Sequence, residues 1–141
     1  MDTKFYSHKQ VSTWLFAVLV PLFVWLSLWA YSAGVLDEAV LVLGFGMTIL
    51  ALLGSLTTEV SESSVHLSFG LGLIHRTIDR STIARVIQVR NSWWYGFGIR
   101  YTPHGWMWNA SGLDAIEITY KNDKKFRIGT DDPEGLLKAL S

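Results

Sequence analysis

Cysteine is absent from this sequence, which excludes a disulfide framework, a thiolate metal site and a cysteine nucleophile. Charge is scarce as well: 17% of the 141 residues are Asp, Glu, Lys or Arg, against roughly 25% in an ordinary soluble domain. Twelve basic and twelve acidic residues cancel, so no whole-chain field draws the protein to nucleic acid, and none is expected as a partner. Aromatics are not scarce. Seven Trp, five Tyr and seven Phe exclude intrinsic disorder.

The missing charges are concentrated. No Asp, Glu, Lys or Arg occurs from Gln10 to Leu36, and after Asp37 and Glu38 none occurs from Ala39 to Thr58. About 20 helical residues cross the hydrocarbon core of a bilayer, so each run is long enough to span. Val11 to Tyr31 holds 11 residues of the Leu, Ile, Val and Phe set, and Ala39 to Thr58 holds 10. A cleaved signal peptide has an apolar stretch of roughly 7 to 15 residues and no second run behind it. A helix in a soluble bundle keeps a polar face. Both alternatives fit less well than two transmembrane helices, at about residues 11–31 and 39–58, joined through the short link Ser32 to Glu38 as an antiparallel hairpin. The link has no Lys or Arg, whereas Lys4 and Lys9 flank the first run. The positive-inside rule therefore puts both termini in the cytoplasm of a multi-pass protein of the inner membrane. Gly44, Thr48, Ala51 and Ser55 recur at helical spacing as a stripe of small residues. Such a stripe lets another helix approach, either the first span or a second copy of the protein.

From Glu59 to Ser141 the composition switches, and this stretch holds 19 of the 24 charges. Short alternating segments punctuated by Gly, Asn and Asp predict a β-rich domain over 59–141. Val65, Leu67 and Phe69 lead into Gly70-Leu71, which reads as a two-residue hairpin pairing Phe69 with Gly72 and setting His66 opposite His75. A second hairpin has Asn122, Asp123 and Lys124 as its loop, pairing Tyr120 with Phe126 and Ile118 with Ile128, with Glu117 diagonal to Arg127 as a surface ion pair. Residues 83–90 suit either period, and their β-branched content favours a strand. Thr130 to Glu134 reads as an N-cap with Pro133 at the first helical position, opening a short C-terminal helix through Leu136, Leu137 and Leu140.

That order, with the runs VHLSFGLGLIHRTIDRSTIARVIQV and DAIEITYKNDKKFRIGTDDPEGLLKAL, resembles the bacterial pleckstrin-homology-like domains of small membrane proteins over roughly residues 57 to 140. The resemblance implies a bent sheet capped by a C-terminal helix, preceded by one or two transmembrane helices. It also implies a noncatalytic binding or scaffolding role at a membrane. The first strands offer Arg76, Arg80, His66 and His75 but no lysine, so specific phosphoinositide recognition is not implied.

Catalytic and metal signatures are weak. His66 and His75 lack a third ligand at zinc spacing, with only His104 or Asp79 as distant candidates. No GxSxG elbow or phosphate loop exists, and Gly96 and Gly98 read as turn residues. The Asn109-Ala110-Ser111 sequon is not used in a cytoplasmic domain. No enzyme, metal or cofactor is expected. The unusual stretch is Asn91 to Gly112, with Trp93, Trp94, Tyr95, Phe97, Tyr101, Trp106 and Trp108. Tyr101 and one or two of the tryptophans are expected in the core, while Trp93, Trp94, Tyr95 and Phe97 suit core and contact surface equally. From Arg76 to Arg100 five arginines (Arg76, Arg80, Arg85, Arg90 and Arg100) face one acid, Asp79. These arginines and aromatics form the candidate contact for anionic lipid or a protein partner. The function expected is a membrane-anchored, noncatalytic binding or scaffolding module. The alternative is a structural subunit that oligomerises through its helix stripe.

Overall fold

A computed structural model describes residues 3–141. Strand β1 (Lys4–Val11) runs directly into helix α1 (Thr13–Ser32), and a three-residue link leads to α2 (Leu36–Leu53). The two helices form an antiparallel hairpin. Asp37 and Glu38 belong to the first turn of α2, not to the link, because the positive end of a helix dipole favours acids there. The second helix ends at Leu53, five residues before the expected Thr58. Gly54 caps it, and Ser55 begins strand β2 (Ser55–Ser61). The uncharged run outlasts the helix because β2 opens with the uncharged residues Ser55, Leu56, Thr57 and Thr58. Ser55 therefore leaves the small-residue stripe.

The β-rich part continues with β3 (Ser64–Phe69), β4 (Ile74–Asp79), β5 (Ile83–Arg90), β6 (Gly98–Thr102), β7 (Gly105–Asn109), β8 (Asp114–Tyr120) and β9 (Lys125–Gly129), then α3 (Pro133–Leu140). One sheet has the order β1-β2-β3-β4 and the other β5-β8-β9-β7-β6, in which β7 and β9 are parallel. The strand reading of 83–90 holds. The N-terminal strand was not legible in the sequence: β1 pairs with β2 from Lys4↔Ser61 to Val11↔Ser55, so the β-rich unit includes residues on both sides of the hairpin.

Both sheets contribute to one core. Leu56, Val60, Val65, Leu67 and Phe69 meet Trp108, Ile116, Ile118, Phe126 and Ile128, with Leu136 and Leu140 of α3 closing over them. Asp132 caps α3 by accepting from the Gly135 amide, with Pro133 at the first position as the sequence implied. Tyr6 donates to the same carboxylate at 3.0 Å. Burial first, and then this hydrogen bond, push its phenol well above the usual tyrosine range.

Both hairpins close two residues away from their expected registers. Phe69 pairs with Ile74 across a four-residue turn, so His66 faces Thr77 and His75 faces Ser68. In the second hairpin Ile118 pairs with Phe126, and Asp123 adopts a left-handed φ of 65° that closes the loop. A slip of two residues keeps every side chain on its face, so alternation settles the face and leaves this choice to the turn. The consequence is large at Glu117. It lies directly opposite Arg127, and the pair is buried rather than on the surface.

Candidate functional site

The strand directions sort the molecule into two poles. β1 ends and β2 begins at the hairpin, so Val11, Ser55, Phe69, Arg90, Gly98 and Asn109 belong to the helix pole. Lys4, Ser61, Asp79, Ile83 and Tyr120 belong to the far one. At the helix pole the hairpin is tied to both sheets. Ser12 donates through its amide to Gly54 at 2.8 Å and through its hydroxyl to Leu53 at 2.9 Å. Gln10 reaches the Ser111 carbonyl, and the Trp14 indole N–H donates to Ala110 O at 2.7 Å. The Trp14 ring stacks on Phe97, with centroids 5.1 Å apart. On the other side, the backbone of Gly70 abuts the last turn of α2 so closely that a Cβ would lie 1.9 Å from Ala51 O.

The five arginines do not form one patch. The Arg80 guanidinium bonds Ser61 O and Leu140 O and lies over Phe5 at the far pole. Arg76 packs over Phe126 and beside Tyr120. Arg85 is exposed on β5 near the far pole. Arg90 and Arg100 are at or near the helix pole: Arg90 pairs with Asp114 at 3.2 Å, and Arg100 Nε donates to Phe97 O. The aromatics divide differently from the expectation. Trp108 is in the core, whereas Tyr101 is 73% exposed and packs edge-on against the half-exposed Trp106. β6 is an edge strand, so Tyr101 has no neighbouring strand to cover it. Trp93 and Trp94 are exposed, and Tyr95 and Phe97 are half-buried. The segment carrying them starts beside Leu113 and returns to Trp14, so both of its ends are at the helix pole.

Along α2, Gly44, Thr48 and Ala51 are exposed, and a Cβ on Gly44 would meet nothing within 4 Å. The close approach to α1 occurs instead at Gly46, where a Cβ would be 2.6 Å from the Phe23 ring. The stripe therefore does not face α1. Gly46 falls outside the helical spacing of the other small residues.

Three further features were not foreseen. Leu71 and Leu73 on the β3–β4 turn are each 73% exposed, and Leu71 lies beside the end of α2. Two leucines inside a glycine turn, where polar residues are usual, were the available signal. The second is a buried polar cluster on the face of the second sheet away from the core. Arg127 donates to Glu117 at 2.9 Å and to Asn91 Oδ1 at 2.9 Å, and Lys125 pairs with Glu117 at 3.0 Å. Burial opposes the Glu117 charge, but the bonds from Arg127 and Lys125 outweigh it and hold its carboxyl below the usual range. Third, His8 bonds Asp131. The His66 and His75 rings remain neighbours, 5.7 Å apart across the diagonal. Among the described residues no three His, Cys, Asp or Glu side chains come together as metal ligands. The His66 Nδ1 lies 3.0 Å from the Thr77 hydroxyl in an exposed pair across β3 and β4.

Searches against family models, curated proteins and solved structures return no match for this chain. The fold establishes two long apolar helices set into a β-rich domain with a short C-terminal helix.

Proposed function

We propose that the chain is a membrane-anchored, noncatalytic binding or scaffolding module. Its hairpin spans the inner membrane, and its pleckstrin-homology-like domain rests on the cytoplasmic surface. The observation that carries this reading is the exposure of the hairpin. Trp25, Leu28, Trp29, Leu41, Phe45 and Met47 are each more than 60% exposed, and only 17% and 11% of the apolar windows of α1 and α2 are buried. Core helices of a soluble protein bury such faces. A cleaved signal fits poorly, because excision after α1 would remove β1 from the first sheet. The four-stranded first sheet and the C-terminal helix packed on the shared core support the pleckstrin-homology-like part.

Anchoring holds the helix pole against the bilayer. There Leu71, Leu73 and Arg90 meet lipid, and Trp93 and Trp94 are available to lipid or to a protein partner at high effective concentration. The absence of cysteine makes the test direct. Ser32→Cys at the end of α1, next to the link, and Lys121→Cys at the far pole introduce single thiols into the full chain. In intact cells an impermeant maleimide labels Ser32→Cys, labels Lys121→Cys only after lysis, and the chain resists alkaline carbonate extraction. Extraction by carbonate refutes the membrane reading; labelling of Lys121→Cys from outside refutes the orientation.

A further inference from the structure

Where the hairpin joins the sheets, the fold forms an apolar cavity of about 320 Å³, open on the side of Ile99 and Arg100. Its walls include Trp14, Leu15, Leu53, Phe69, Phe97 and Ile99, drawn from both helices and both sheets. An apolar cavity of about 150 Å³ takes up a benzene, so this one has room for a longer hydrocarbon segment. One charged side chain lines it, Arg100. The Arg100 guanidinium is exposed, donates through Nε to Phe97 O at 3.0 Å, and has no acidic partner among the described residues. An apolar slot with a single unneutralised cation matches an amphiphile with a hydrocarbon tail and an anionic head. A soluble anion would leave the apolar walls unused, and a peptide would bring many more backbone N–H and C=O groups than the polar residues of the wall, Ser12 and Asn109, can satisfy.

We propose that this cavity holds an acyl chain of an anionic phospholipid from the surrounding leaflet, with the headgroup phosphate bound by Arg100. The inference rests on the membrane reading above. Under that reading the cavity lies at the level where α1 enters the bilayer, so a lipid chain passes from the exposed face of the hairpin into the slot without crossing water. The site couples the anchor to the domain, because its walls are the same Trp14 and Phe97 rings that stack across the junction.

The test is native mass spectrometry of the full chain, released from detergent micelles that contain equal amounts of phosphatidylglycerol and phosphatidylcholine. One phosphatidylglycerol is retained at about fivefold preference, the discrimination expected of one basic residue at a membrane surface. Arg100→Gln brings the two lipids to equal retention. Ile99→Trp fills the slot from its half-exposed wall and lowers retention of both at least fivefold, while near-ultraviolet circular dichroism reports that the domain is folded. Absence of retained lipid, or retention that neither variant changes, overturns the proposal. Carbonate extraction of the membranes before solubilisation separates the two readings: a chain that is integrated but free of lipid defeats only the cavity site, and a chain that is extracted defeats the membrane reading itself.

Discussion

Arg127→Met tests the buried cluster. Glu117 and Arg127 side chains are 3% and 7% exposed, joined by contacts of 2.9 and 2.8 Å to one carboxylate oxygen. The same guanidinium is the partner of Asn91 Oδ1. Removing it leaves the carboxylate with Lys125 alone, whose side chain is 44% exposed, and leaves Asn91 with a buried, unpaired oxygen. Breaking a buried pair by removing one member costs about 3–5 kcal/mol. For a chain of this size that is a fall in Tm of order 10 °C. The double variant Glu117→Leu with Arg127→Met takes both charges out of the interior together. Its remaining defect is the unpaired Asn91 oxygen, about 1–2 kcal/mol, so it recovers most of the loss. Urea unfolding of the full chain in detergent micelles, followed by near-ultraviolet circular dichroism, reads both numbers. If the single variant loses less than about 1 kcal/mol, or the double is no more stable than the single, the cluster does not work as a mutually compensated buried pair.

The same cluster sets an acid limit. Glu117 is held below its ordinary value of 4.5 in the folded chain, so its stabilisation is complete above that value and is lost as pH falls through the lower folded one. A pH series of unfolding midpoints shows the wild type weakening below about pH 4.5 more steeply than the double variant; parallel curves would contradict this. Gly70→Ala separates a close approach from a simple backbone preference. Gly70 has φ +50° and no room for a Cβ against Ala51 O, whereas Gly72 has φ +87° and open space. Gly72→Ala is expected to cost about 1 kcal/mol from the left-handed backbone, and Gly70→Ala at least about 2 kcal/mol, since α2 must shift as well. Equal losses would mean that the turn is not packed on the helix.

Periodicity and charge distribution carried much of the fold. The two apolar helices, the strand at 83–90 and the capped C-terminal helix follow from local pattern, because propensity, capping and the spacing of apolar residues are properties of neighbouring residues. The helix end at Leu53 did not follow, because Ser55 to Thr58 lack charge in a strand as they would in a helix. Hairpin registers escaped for a related reason: alternation repeats every two residues, and the loop conformation at Gly70 to Leu73 and at Asp123 chose between registers that alternation treats as equal.

The candidate contact surface was legible as a composition and not as a place. Sequence identified the aromatic stretch and the arginines, but the course of β5 from one pole to the other separated Arg80 and Arg85 from Arg90 and Arg100, and an edge position left Tyr101 outside the core. The scarcity of charge by itself pointed to two long apolar helices between residues 11 and 58, since an amphipathic helix would need charged or polar residues along its wet face. Only the tertiary structure decided that a strand from before the hairpin completes the first sheet, that Glu117 is interior, and that Trp14 closes a cavity with Phe97. Each of these joins residues between 10 and 83 positions apart in the chain, and contacts at such separations are set by how the strands pair and the sheets meet, which no local pattern encodes.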